Sequence, residues 1–125
     1  MLYNTAAQTI AAGGTLALPA NAINSTGSIT ASGTTGVTLA PGQYLVTFAS
    51  DANINGAGTL GAALALDGTA LPYAVTAETQ DAAGTDRITL TAVVSPTAAQ
   101  TLTVVNNGGT SNTYTNSTLT IAKLA

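Results

Sequence analysis

The hexapeptide Asp51-Ala52-Asn53-Ile54-Asn55-Gly56 places oxygen-bearing side chains at alternate positions and then a glycine. That is the first half of a calcium loop of the form D-x-[DN]-x-[DN]-G-x5-E, in which a final bidentate Glu closes the coordination sphere. Asp51, Asn53 and Asn55 are therefore the candidate metal ligands. The position that should supply the Glu is Ala62, and the loop carries one formal charge. No helix signal flanks it. Asn and Gly also tolerate left-handed backbone, so the same residues serve as a connection between two strands. No metal site is expected on this count.

Other chemistry is scarcer. The chain has no His and no Cys. The usual general base, the commonest metal ligand, thiolate sites and disulfides are thereby excluded. Ser and Thr are abundant, but Lys123 stands alone as a base and no triad can be assembled. Glu78, Asp81 and Asp86 fall in one polar stretch and allow a carboxylate pair. A solvated acidic loop is the expected reading of them, and Asp86-Arg87 reads as a strand-end charge pair. Asn106-Asn107-Gly108-Gly109 is a loop signal with no helix or Lys behind it, so it is not a phosphate cradle. No catalytic residue and no cofactor are expected. Asn24 and Asn116 each open an Asn-Ser-Thr sequon. Tyr114 lies in a polar run, where it would either touch a ligand or cap one end of the fold.

Composition narrows the class further. The 125 residues suit one domain, residues 1–125. Only 6% are charged, against roughly 25% in an ordinary soluble domain. The two cations, Arg87 and Lys123, cannot form the basic face that nucleic acid or an anionic membrane requires. No apolar run approaches the ~20 residues of a spanning helix. The start, "MLYNTAAQT", has neither a basic nor an apolar segment of the secretory kind.

The elements that must position these residues are strands. Thr-rich alternating segments recur at 4–11, 14–18, 27–32, 36–40, 43–50, 59–66, 70–77, 87–94, 100–107 and 117–125, with Gly, Pro or Asn between most of them. About ten short strands indicate an all-β sandwich or barrel. Asp67-Gly68 is a two-residue hairpin signal, and Pro72 suggests an edge strand.

Strand alternation sorts side chains onto two faces. Tyr44, Val46 and Phe48 share a bulky face with Ile88, Leu90, Val94, Leu102, Val104, Leu119 and Ile121, the expected core. The opposite face carries Leu45, Thr47, Thr91, Val93, Thr120, Ala122 and Leu124, with no charge. Two explanations stand: a Thr-rich solvent surface, or a subunit interface between copies. The interface is the expectation carried forward.

The stretch "APGQYLVTFAS", residues 40–50, with Gly42, Tyr44, Val46 and Phe48 at alternate positions, resembles a strand of the tumour-necrosis-factor and complement-head jelly rolls. The order of the following segments is similar to the C-terminal heads of bacterial collagen-like glycoproteins of the spore exosporium. The likeness covers nearly the whole chain. It implies a ten-stranded antiparallel jelly-roll sandwich that forms a homotrimer, with Leu45, Thr47, Ala122 and Leu124 facing neighbouring subunits. It further implies a non-enzymatic structural role at an extracellular surface, beside a stalk or other coat protein. Collagen-like heads follow a Gly-X-Y stalk, and no such repeat occurs in these residues. Related alternatives are a phage virion fibre or decoration protein, or a module whose loops bind a glycan or receptor.

The calcium reading is settled by titration calorimetry. No binding tighter than about 1 mM is expected, because ligand count and charge are too low. Sub-millimolar binding that disappears in Asp51→Ala would reverse this.

Overall fold

A computed structural model describes residues 1–21 and 27–125. Among them the regular elements are strands: β1 (Leu2–Asn4), β2 (Gln8–Ile10), β3 (Ala20–Asn21), β4 (Ile29–Ser32), β5 (Gly36–Leu39), β6 (Tyr44–Ile54), β7 (Gly58–Leu66), β8 (Thr69–Gln80), β9 (Gly84–Val94), β10 (Gln100–Val105) and β11 (Asn112–Lys123). They form two antiparallel sheets. One has the order β3-β1-β11-β6-β9, with β2 also pairing β11; the other has the order β4-β5-β10-β7-β8. The sheets face each other as a jelly-roll-like sandwich. From β5 onward successive strands change sheet, except where β7 and β8 form a hairpin.

Several expected segments change shape. The segment 4–11 divides into β1 and β2, both on β11. Residues 14–18 form no named strand; Thr15 makes a single bridge to Val105, while Leu16 and Leu18 are buried. The strand expected to end at Ser50 continues to Ile54, and the strand expected from 117 begins at Asn112. β3 had no sequence signal. Among the described residues eleven strands thus stand where about ten were expected, within the expected fold class. Asp67 and Gly68 both take positive φ, 49° and 83°, as a primed hairpin turn requires. Pro72 lies in β8, an edge strand, where a missing N–H costs no ladder bond.

The core follows the alternation of β6. Tyr44, Val46, Phe48, Ala52 and Ile54 point inward and are buried. Phe48 lies opposite Leu90 on one side and Leu119 on the other, and Leu119 lies opposite Leu2. Leu60, Leu64, Leu102 and Val104 meet them from the second sheet. Ile88 and Val94 join the cluster, and Ile121 packs partly buried against it. Burial of each large side chain contributes roughly 1.5–3 kcal/mol.

Close packing also forbids bulk. A Cβ on Gly36 would fall on the backbone carbonyl of Leu102 in the neighbouring strand. Gly36→Ala should therefore destabilise the protein by about 2 kcal/mol or more. A urea unfolding midpoint equal to that of the parent would contradict this packing.

Candidate functional site

The outward side chains of β6, β9 and β11 form one face of the six-stranded sheet, ordered in cross-strand rows. Val93, Leu45 and Ala122 make the first row, and Thr91, Thr47 and Thr120 the second. Thr89, Ala49 and Thr118 follow, then Arg87, Asp51 and Thr115. Thr85, Asn53 and Thr113 make the last row, extended by Thr9 of β2. Leu124 lies just beyond β11, its N–H donating to the Gln43 carbonyl. Leu45, Val93 and Leu124 are 39%, 47% and 54% exposed, high for large apolar groups. Six of the seven residues grouped by alternation thus share one face by register, and Leu124 follows just past its end.

The face has two characters. Its first two rows carry aliphatic and Thr side chains and no charge. Its last two rows are held by polar pairs. The Arg87 guanidinium meets the Asp51 carboxylate at 3.0 Å, and Asn53 Nδ2 donates to Thr85 Oγ1 at 2.7 Å. Thr9 and Thr113 hydroxyls are 2.9 Å apart, and Thr47 and Thr91 hydroxyls 3.4 Å apart. An exposed ion pair of this kind contributes roughly 0–1 kcal/mol. It fixes register more than it stabilises.

This placement corrects the reading of residues 51–56 as a loop. Asp51 and Asn53 sit inside β6, and only Asn55, Gly56 and Ala57 form the turn. A strand spaces alternate side chains about 6.5–7 Å apart and holds them parallel, whereas a calcium loop curls its ligands around one point. Arg87 pairs with Asp51 across the sheet, not with the Asp86 carboxylate; its own backbone N–H donates to Asp86 Oδ1. Among the described residues no three acidic, His or Cys side chains converge as metal ligands.

The acidic stretch is also rearranged. Glu78 lies in β8 and Asp86 in β9, with Asp81 in the turn between. The hydrogen bond between the Glu78 and Asp86 side chains raises the Glu78 pKa above its ordinary value, reinforced by slight desolvation and by like charge. Both residues are exposed. Asn116 is exposed at a bulge in β11, with φ of 53°. The sequon at Asn24 lies outside the described residues.

Tyr114 is neither a loop residue nor a surface aromatic. It is fully buried in β11. Its hydroxyl donates to the Gly61 carbonyl and accepts from Asn112 Nδ2 at 3.3 Å. Asn112 also donates to Asn106 Oδ1 at 3.4 Å. Asn106, buried in its turn, accepts from Gly108 N–H at 2.8 Å and donates to the Ile10 and Thr110 carbonyls. This network shapes the loop 106–111. Tyr73 is 60% exposed on the edge strand β8, beside Val75.

No family model and no curated protein matches the sequence. Among solved structures, the chain is similar to the Podospora anserina GH26-CBM35 β-(1,4)-mannanase, at 14% identity and a TM-score of 0.39, over 98% of this chain and 29% of that one. It is also similar to the N-terminal CBM22-1-GH10 modules of Clostridium thermocellum endo-1,4-β-D-xylanase 10B complexed with xylohexaose, at 12% identity and a TM-score of 0.40. That match covers 99% of this chain and 26% of the other. The chain thus spans less than a third of either structure. Both likenesses are distant and carry no functional weight.

Burial pushes the Tyr114 phenol from its ordinary 10.0 up to about 12, while the Asn112 hydrogen bond pulls it down. The unfolded chain therefore loses this proton first. The stabilisation is complete below pH 10 and is lost as pH rises from 10 to about 12, amounting to about 3 kcal/mol in all. Tyr114→Phe should lower neutral-pH stability by about 1–2 kcal/mol, because it removes the buried hydroxyl's bonds to the Gly61 carbonyl and from Asn112 Nδ2. It should also flatten the decline above pH 10, read from urea unfolding at stepped pH.

Proposed function

We propose that this chain is a non-enzymatic structural head that assembles with two further copies of itself through the first rows of the β6/β9/β11 face. The observation that carries this reading is the uncharged set Leu45, Thr47, Thr91, Val93, Thr120 and Ala122, collected by register onto one surface, with exposed Leu124 just beyond the end of β11. A sheet that faces water ordinarily turns apolar residues inward and polar ones outward. Here the outward positions are aliphatic or Thr, and the ion pair Asp51–Arg87 is displaced toward the far end. Burying such a surface is favourable, and closed rings of identical subunits are the usual way to bury it. The number three comes from the resemblance of residues 40–50 and of the segment order to trimeric jelly-roll heads.

In this reading the assembly belongs at a spore, fibre or virion surface, as the same resemblance implies. The composition agrees with a durable coat: two cationic residues leave little for trypsin-like proteases, and one of them, Arg87, is held in a ladder. The Lys123 ammonium donates to the Ser28 hydroxyl at 3.0 Å in an exposed contact.

Light scattering should return a mass near three times the 12.1 kDa protomer. A clean monomer would overturn the assembly. Leu45→Glu should shift the mass to one protomer with the β-type circular dichroism unchanged, since a buried unpaired carboxylate costs several kcal/mol. An undiminished trimer in that variant would mean that this face does not form the contact.

A further inference from the structure

The sequence holds two Asn-Gly pairs, Asn55-Gly56 and Asn107-Gly108. Such pairs can modify themselves. The Gly nitrogen, after losing its proton, attacks the Asn side-chain Cγ; the new N–C bond closes a five-membered imide as the side-chain nitrogen leaves as ammonia. Water then opens the imide at either carbonyl, giving aspartate or isoaspartate. The net reaction consumes one water and replaces an amide by a carboxylate. Gly permits it because no Cβ obstructs the ring.

The two pairs sit in opposite environments. Gly108 is buried, and its N–H donates to Asn106 Oδ1 at 2.8 Å. That nitrogen can neither shed its proton to solvent nor swing toward Asn107. The Asn107 side chain itself rests against Gly61. Asn55 is exposed, in the turn between β6 and β7. Among the described residues nothing accepts a hydrogen bond from Gly56 N, and no atom lies within 4 Å of where its Cβ would be. The turn lines a shallow cleft of about 210 Å³ with Ile54, Ala57, Thr110 and Ser111, so water reaches it.

We infer that Asn55 is a site of spontaneous deamidation, and that the fold protects Asn107 from the same reaction. The conversion adds a negative charge to a chain of formal net charge -3 and, in its isoaspartate form, lengthens the turn backbone by one carbon. It proceeds whether or not the chain assembles.

The test ages the full folded chain at mildly alkaline pH and locates the mass change by fragmentation of the intact protein, with isoaspartyl methyltransferase labelling as a second readout. Asn55 should convert while Asn107 lags by about tenfold or more, because the Gly108 N–H held by the Asn106 side chain must first be released by local opening. In urea the two should convert at similar rates, and Asn55→Gln should remove the fast phase from the folded protein. Asn107 converting as fast as Asn55 in the folded chain would overturn the inference. So would a folded Asn55 that stays an amide while the unfolded chain converts.

Discussion

The parity of β6 is the constraint on which the molecule depends. A strand has a two-residue period, so its register against β9 and β11 decides every side chain at once. With Phe48 opposite Leu90 and Leu119, the even positions from Tyr44 to Ile54 enter the core. The odd positions from Leu45 to Asn53 face outward. A slip by one residue would bury Asp51 and expose Phe48. The Asp51–Arg87 pair and the Asn53–Thr85 bond work against that slip at the far end of the strand, where the side chains are least hydrophobic. Core and candidate interface are thus two readings of one registration.

A chain so poor in charge still has to satisfy its buried polar groups, and it does so with neutral partners. Opposite Ser50, β11 carries two residues instead of one, the mark of a bulge. Asn116 turns outward there, and Ser117 turns in to meet the Ser50 hydroxyl at 2.9 Å. Asn106, Asn112 and Tyr114 form the second such group. Among the described residues no buried side-chain polar atom lacks a partner. Neutral networks avoid the desolvation cost of buried ions, and they hold loop 106–111 through hydrogen bonds among uncharged groups.

Much of this was legible in the sequence, for a physical reason. Burial on one side of a sheet leaves a two-residue signature, which is clear in residues 44–48 and 88–94 and identifies both the core and the outward face. Two failures are equally physical. Asp51 and Asn53 have turn propensities, and local propensity yields when cross-strand partners such as Arg87 and Thr85 are available. Tyr114 was hidden by the bulge. Counting back by twos from the buried Leu119 and Ser117 places Thr115 and Thr113 inside and Tyr114 outside. The extra residue at Asn116 reverses that parity, and no local pattern announces it. Leu16 and Leu18 show the converse, a strand-like alternation that is buried but carries a single bridge.

The position of β11 has a consequence in time. It lies between β1 and β6, so its ladders join residues near 2 to residues near 119 and residues near 48 to the same segment. Until residues 112–123 are in place, β1 and β2 have no ladder to β6, and one side of Phe48 has no sheet neighbour. Loop closures of this span are entropically slow, and the waiting edges are sticky. The chain is therefore most prone to mispairing with another copy before its last strand arrives. The same uncharged rows that suit a finished surface offer no repulsion during that interval.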